Sequence, residues 1–271
     1  MVSELRSDSA HITLYQDPYN KRMRVDDYSG EFAEIIKLID RAVLPWVEKL
    51  IIKSRPEDVT VFQQNGYQQE AVVRKYFAGV DMHFVTRYFS DSRKSNPKDA
   101  EEEASINRLF STVITKSKPV TEEVFHALLE DARDLAQLYK KTFPLYPTPL
   151  WDPIHIRKTM IEGTLYVFIR DGVDIVSAAS AEVNRKYSNA ELTDCATAEE
   201  AQGKGYMTKL LKTLELKLHS QNISCLYTIA RAESFGMNKA FYQLGYRYGG
   251  RMMNNCIIYS GMEDMNVWYK G

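Results

Sequence analysis

The stretch best suited to chemistry is a glycine turn, Gln202-Gly203-Lys204-Gly205, between an apolar strand and the start of a helix. Glycine tolerates the backbone conformations that bring successive N–H groups into one concavity, and the first turn of the helix adds amides without intrahelical acceptors. Such a turn can bind an anion, and a pyrophosphate is the natural ligand. An ordinary strand-to-helix connection is the alternative interpretation.

The spacing excludes two common phosphate loops. A Walker loop requires glycine at position 198 and Ser or Thr after the Gly-Lys pair, but the chain has Ala198 and Gly205 there. The dinucleotide fingerprint requires a third glycine, and Thr208 stands at that place. The pattern that remains is Gln202-x-x-Gly205-x-Met207.

Composition narrows the class of protein. The 35 basic and 36 acidic residues nearly cancel, so the sequence has no nucleic-acid footprint. No apolar run approaches the ~18 residues that span a bilayer, and Met1–Ala10 lacks the apolar core of a signal peptide. The three cysteines lie in apolar runs, which is typical of buried thiols in a reducing compartment, and the five histidines lack ligand spacing. We therefore expect a cytoplasmic protein that uses no metal and binds neither nucleic acid nor membrane.

Hydrophobic periodicity predicts the elements that position the turn. A strand begins at Ala190, directly before it, and a helix runs from it to about Ser220. Predicted helices elsewhere in this half cover 121–142, 152–161 and 233–244, and predicted strands cover 164–170, 174–183, 224–230, 251–259 and 264–269.

From Thr121 onward, this order and the turn resemble the GNAT family of acetyltransferases, whose pyrophosphate loop reads Gln/Arg-x-x-Gly-x-Gly/Ala. The resemblance implies an α/β (α+β) fold with a mixed sheet and acetyl-CoA as co-substrate. Within this family, the chain most closely resembles the bacterial and archaeal β-lysine N6-acetyltransferases, whose pattern includes Met207. The other segments that carry this narrower resemblance are Leu135–Pro149, Thr193–Thr197, Asn254–Cys256 and Glu263–Trp268.

The resemblance also implies site residues. The coenzyme diphosphate would bind the turn and the first turn of the helix, and the pantetheine arm would follow the exposed edge of the preceding strand. Core packing is the alternative interpretation of that strand. The predicted cofactor-binding residues are Cys195, Ala196, Thr197, Gln202, Gly203, Lys204, Gly205, Tyr206, Met207, Thr208 and Asn238.

Two further roles follow from the family pattern. A late-helix tyrosine, in Asn-x-x-x-Tyr-x-x-x-Gly-Phe, protonates the thiolate, and Tyr242 is the predicted general acid, although Gly245 follows it by three residues rather than four. A core aromatic is the alternative for Tyr242. Glu191 is the predicted base.

A lysine-type amine has a pKa near 10.4, so some group must accept its proton at neutral pH. Asp194, Glu182 or a chain of water molecules are the alternatives to Glu191 as that base. A small diamino acid also requires carboxylates at its ammonium groups and a cation or amide at its carboxylate. The predicted substrate-binding residues are Asp194, Glu182, Asn255 and Asp264.

The N-terminal part contains an echo of the C-terminal part. Phe62–Tyr67 reads like Phe241–Tyr246, and the flanking strands recur at similar distances. We therefore predict a degenerate half-GNAT domain and linker at 1–115 and a catalytic domain at 116–271. The first lacks the glycine turn, so it would serve as a scaffold, a wall of the substrate pocket or a homodimer surface.

The expected function is transfer of the acetyl group to the N6 amine of β-lysine or a similar small diamino acid. One alternative is a non-catalytic module that binds or senses acyl-CoA. The other is a GNAT enzyme that acts on a different small amine or on a protein amine.

Overall fold

Thirteen strands form one continuous mixed sheet in the computed structural model, which describes residues 2–113, 120–258 and 261–271. The order of strands in the sheet is β1-β2-β3-β4-β6-β5-β12-β13-β11-β10-β9-β8-β7. The predicted domain boundary, between 115 and 116, lies outside the described residues and stays a prediction.

The N-terminal half begins with strands whose apolar residues alternate with polar ones, as β2 shows by burying Ile12 and Leu14. Its first helix buries Ile35, Leu38 and Ile39, at the spacing of one helix face. The elements are β1 (Val2–Arg6), β2 (Ala10–Asp17), β3 (Arg22–Gly30), α1 (Phe32–Ala42), β4 (Lys49–Ser54), α2 (Val59–Gln64), β5 (Gln68–Phe77) and β6 (Val80–Tyr88).

The C-terminal half contains the helix that follows the glycine turn, and this helix buries Leu210, Leu211, Leu214 and Leu218 against the sheet. The predicted strands and the helix after the turn are present here. The elements are β8 (Leu165–Asp171), β9 (Asp174–Asn184), β10 (Asn189–Thr197), α6 (Tyr206–Ser220), β11 (Cys225–Arg231), α7 (Phe235–Gln243), β12 (Arg247–Ile258) and β13 (Gly261–Lys270).

The segment between the halves differs from the prediction of one helix over 121–142. The helix begins only at Ala132, because Phe125 and His126 pair with β8 as an edge strand and their backbone is extended. The elements are α3 (Asp99–Phe110), β7 (Phe125–His126), α4 (Ala132–Thr142) and α5 (Pro153–Ile161).

The two halves share one topology. Each contains three antiparallel strands, a helix, a strand parallel to the third strand, a second helix and a closing hairpin. The sheet order is consequently mirrored about its centre, where β5 of the first half meets β12 of the second. The repeat is larger than the sequence echo indicated, because β1, β2, β3 and α1 also have counterparts in β8, β9, β10 and α6.

Three apolar cores stabilise this arrangement. One lies under the helices of each half, and the third consists of residues from both halves. Tyr76 and Tyr227, one from each half, make an edge contact with 5.3 Å between ring centroids in this shared core. Burial of apolar area contributes roughly 25 cal/mol per Å², so the shared core ties the halves together.

Candidate active site

The two parallel strands of the C-terminal half separate where the sequence predicts chemistry. Within the described residues, β10 pairs with β11 only at 189–191, while β11 continues to Arg231 alongside β13. The register of β10 against β9 shifts between Thr193 and Ala196, and Asp194 has φ of 51°. This bulge turns β10 away from β11, which leaves backbone N–H and C=O groups free for a ligand.

A cleft of about 540 Å³ occupies the gap. Its walls are the end of α4, the second part of β10, the glycine turn, the end of β11 and one side of α7. Of the predicted cofactor-binding residues, those that line it are Cys195, Thr197, Gln202, Gly203, Gly205, Tyr206, Met207 and Thr208.

The glycine turn has the conformation that its composition predicts. Gly203 and Gly205 have φ of 75° and 83°, and Gly205 is the N-cap of α6. The Tyr206 hydroxyl donates a 2.8 Å hydrogen bond to Glu122, and the Lys209 ammonium donates to the backbone carbonyls of Val120 and Glu122. The free amides of α6 therefore face the cleft from a braced position, which suits a coenzyme diphosphate.

Two of the predicted cofactor-binding residues, one on β10 and one in the turn itself, do not line the cleft. Ala196 is 1% exposed and packs into the core under α6, because neighbours on a strand point to opposite faces. Lys204 is exposed, with its ammonium 5.8 Å from the ring centroid of Tyr206.

Asp194 is the carboxylate that the bulge brings into the cleft. Its side chain is buried and accepts hydrogen bonds from Ser180 Oγ at 2.6 Å and from the Tyr146 hydroxyl at 3.0 Å. Burial raises its pKa to about 6, the two hydrogen bonds oppose the rise, and the charge of Glu191 adds to it. At neutral pH a carboxyl group with this pKa is still ionised. It is also a stronger base than an exposed carboxylate, so its basicity lies closer to that of an amine.

The structure does not bring Tyr242 into the cleft. Its ring packs 5.9 Å from Phe110 and 6.3 Å from Trp268, centroid to centroid, and Phe241 lines the cleft instead. Successive residues of a helix differ by about 100° around its axis, so the spacing of three rather than four residues before Gly245 turns the tyrosine away. This placement does not support the prediction that Tyr242 is the general acid.

Asn238 also has a different role from the predicted one. It is 1% exposed, and its amide donates to the carbonyls of Arg231 and Ser234 at 2.9 and 2.8 Å. Its oxygen accepts from Asn266 and from the Trp268 indole. All its hydrogen-bonding capacity is used, so Asn238 holds the β11–α7 loop rather than a cofactor.

The predicted base lies in a neighbouring cavity. Glu191 and Glu182 are direct cross-strand partners and line a space of about 380 Å³ between the two halves. Burial raises the pKa of both carboxyls; the charge of Glu182 adds to the rise at Glu191, and the charge of Asp194 adds to it at Glu182. The two cavities thus follow one another along β10.

Asn255 and Asp264 line neither cavity. Asp264 is fully buried and accepts a 2.7 Å hydrogen bond from the backbone N–H of Asn254, whereas Met265 lines the cleft from the next position of the strand. The carbonyl of Asn255 accepts from Arg22 of the first half at 3.1 Å. Asp264 therefore joins β13 to β12, and Asn255 joins β12 to the first half.

Sequence reasoning missed several residues that line the cleft. Tyr146 was part of the family pattern but had no assigned role, and the prolines at 147 and 149 are the signal that its segment leaves α4 in a fixed bend. Others come from the β11–α7 side, where a second helix begins at the cleft. They are Thr228, Arg231, Ser234, Met237 and Lys239, while Phe143 lines the cleft from the end of α4.

Two kinds of feature are absent from the residues that the structure describes. No helix among them is long and apolar enough to cross a membrane. No group of three or more His, Cys, Asp or Glu side chains among them is arranged to hold a metal ion.

Comparison with known proteins agrees with the geometry. Residues 129–246 match the profile of the Acetyltransferase (GNAT) family. The N-acetyltransferase YodP of Bacillus subtilis is 35% identical over 100% of this chain and 99% of its own length. The β-lysine N(6)-acetyltransferase of Methanosarcina mazei is 35% identical over 89% of this chain and 98% of its own length. A solved N-acetyltransferase from Staphylococcus aureus Mu50 has 13% identity and a TM-score of 0.48, over 56% of this chain and 98% of that one.

The predicted fold class is confirmed, since the structure is a mixed sheet with packed helices and residues 129–246 match the GNAT family. Because the identity extends over nearly the full length of these relatives, the acetyl-CoA-dependent reaction of the family also applies to this chain. The chain belongs to the GNAT family and is an acetyl-CoA-dependent N-acetyltransferase.

Proposed function

We propose that the enzyme acetylates the terminal N6 amine of β-lysine or a similar small diamino acid. The observation that carries the proposal is the position of Asp194, a buried carboxylate at the bulge where β10 leaves β11. An ammonium group beside it can lose its proton at the mouth of the coenzyme cleft. Two curated relatives that are β-lysine N(6)-acetyltransferases, at 35% and 34% identity, support the choice of acceptor.

In the proposed mechanism, acetyl-CoA supplies the acetyl thioester, and its diphosphate is held by the amides of residues 202–208. Asp194 accepts a proton from the N6 ammonium, and the freed amine attacks the carbonyl carbon directly. A C–N bond forms and the C–S bond breaks. The attacking nitrogen loses its second proton to solvent as the amide forms, and the sulfur requires a proton. Tyr146, which donates to Asp194, provides this proton and regains one from Asp194.

A covalent route through Cys195 is not favoured. Burial, and then the charge of Asp194, raises the pKa of this thiol well above its usual range. The thiol therefore stays protonated, and a protonated thiol is a poor nucleophile.

Replacing either tyrosine tests the proposed proton donor. We expect Tyr146→Phe to lower kcat by about 10²-fold, whereas Tyr242→Phe should retain kcat within about twofold because its ring packs outside the cleft. Steady-state release of CoA at saturating acetyl-CoA measures both. A large loss of kcat in Tyr242→Phe, together with an unchanged kcat in Tyr146→Phe, would show that Tyr242 is the general acid.

Mass-resolved acetylation tests the acceptor. Incubation with acetyl-CoA and β-lysine should yield a singly acetylated product whose fragments place the acetyl group on N6. An acyl-CoA-sensing module would show binding of acetyl-CoA by calorimetry but no product with β-lysine, lysine or a peptide amine. Faster turnover of a peptide amine than of β-lysine would contradict the small-molecule proposal.

A further inference from the structure

The cavity between the two halves has walls from both. From the C-terminal half come Glu182, Glu191 and Tyr227, and from the N-terminal half come Arg24 and Lys53, on the parallel strands β3 and β4. No residue of the glycine turn lines it, and along β10 it follows directly on the coenzyme cleft, with Glu191 in the cavity and Asp194 in the cleft.

The C-terminal wall is suited to an ammonium group. Glu182 and Glu191 are directly opposite each other on antiparallel strands, an arrangement that is unfavourable for two like charges. Both carboxyl groups line the cavity. A bound ammonium group would relieve the repulsion between them.

The N-terminal wall is suited to a carboxylate. Lys53 is 7% exposed, and its ammonium lies 2.9 Å from Asp26 and 3.0 Å from the Tyr76 hydroxyl. Arg24 donates two hydrogen bonds to Asp26, through Nε at 2.6 Å and Nη2 at 3.1 Å. Since a guanidinium has five N–H donors, this pairing orients Arg24 and leaves donors for a second carboxylate.

Charge and length both match a diamino acid. The lining contains the cations Arg24, Lys53 and Lys186 and one more carboxylate than cations, so it complements a ligand with one net positive charge. From Glu191 to Asp194 the strand advances three residues, which is at most about 10 Å because the bulge at Asp194 shortens the rise. An extended six-carbon chain spans about 7 Å, so one end can lie in the cavity while the amine at the other end reaches Asp194.

We infer that the N-terminal half supplies the acceptor's recognition site: Arg24, assisted by Lys53, binds the carboxylate of the amino acid, and Glu182 with Glu191 binds its non-reacting ammonium group. The inference rests on the proposed function. It assigns the first half of the chain a part in substrate selection, as a positioning wall of a site whose chemistry belongs to the second half.

Two acceptors that differ only in the carboxylate test this inference. We expect the unaltered enzyme to prefer β-lysine over 1,4-diaminopentane, its carboxylate-free analogue, by at least about 100-fold in kcat/KM. Arg24→Gln should lower kcat/KM for β-lysine about 100-fold and change it less than about threefold for the diamine, with the KM of acetyl-CoA unchanged. Glu182→Gln should lower kcat/KM for both acceptors.

The matched control is Arg6→Gln, because Arg6 is an exposed arginine of the same half that pairs with Glu4 outside the cavity. If Arg24→Gln does not fold because Asp26 loses one of its two cationic partners, Lys53→Gln and the double variant Arg24→Gln/Asp26→Asn replace it in the same comparison. Equal losses for both acceptors in folded variants would overturn the inference alone. No acetylation of β-lysine by the unaltered enzyme, despite binding of acetyl-CoA, would overturn the proposed function itself.

Discussion

Asp194→Asn is expected to lower kcat for acetylation of β-lysine by about 10²- to 10⁴-fold, the usual contribution of a general base. The amide keeps the shape of the side chain: its oxygen can accept from one of the two hydroxyls of Ser180 and Tyr146, which lie 2.6 and 3.0 Å from the carboxylate, and its NH2 group can donate to the other. It cannot accept a proton from the ammonium group. The KM of acetyl-CoA should stay within about twofold, because the glycine turn that would hold the diphosphate is unchanged.

The pH profile distinguishes a base from a merely structural residue. Burial raises the pKa of Asp194 to about 6, so the carboxylate is ionised above that pH and protonated below it. The value of kcat/KM should therefore fall as pH decreases through about 6 in the unaltered enzyme, and this acid limb should be absent from the residual activity of Asp194→Asn.

Asp174→Asn is the control for this variant, since Asp174 is an exposed residue at the start of β9. A kcat close to that of the unaltered enzyme in Asp194→Asn, or the same acid limb in both proteins, would mean that another group accepts the proton. Glu191 would then be the first residue to test.

Gly250→Val is expected to destabilise the protein by about 3 kcal/mol, which is at the upper end of overpacking costs. Gly250 has φ of 133°, and it pairs with Ala71 across the centre of the sheet. A Cβ atom at this position would lie 2.3 Å from the carbonyl oxygen of Glu70 and 2.8 Å from Ala71 Cα. The two halves would have to separate there, and Tm should fall by roughly 5 to 10 °C.

Gly163→Val is the control that separates the two causes of the destabilisation, the close approach of neighbouring atoms and the backbone strain. Gly163 has φ of 106°, but a Cβ atom there would meet nothing within 4 Å. Its cost should be limited to strain, about 1 to 2 kcal/mol. Chemical denaturation of both variants measures the difference, and equal costs would show that the contact between β5 and β12 does not require glycine.

Much of the fold follows from local patterns in the sequence. Apolar periodicity predicted most elements of the C-terminal half, and the echo of Phe241–Tyr246 at Phe62–Tyr67 pointed to a repeat that the shared topology of the halves extends. The elements that differ from the prediction also differ for a physical reason. The helix over 121–142 is shortened because pairing of Phe125 and His126 with β8 outweighs their helical pattern.

The coenzyme-side residues were predictable for a similar reason. A glycine turn is a local feature whose backbone conformation follows from its own composition, and eight of the predicted cofactor residues line the cleft. Tyr242 shows the limit of such patterns. A shift of one residue on a helix turns a side chain by about 100°, so the ring that faces the cleft belongs to Phe241.

The acceptor side was decided by tertiary structure. Arg24 and Lys53 have no sequence signal that connects them with Glu182 and Glu191, because they lie in the other half of the chain and meet them only where the halves pack together. Sequence patterns report contacts between near neighbours, which determine strands, helices and the glycine turn. The charges of the cavity are brought together by long-range packing of two similar halves, and no local pattern records that geometry.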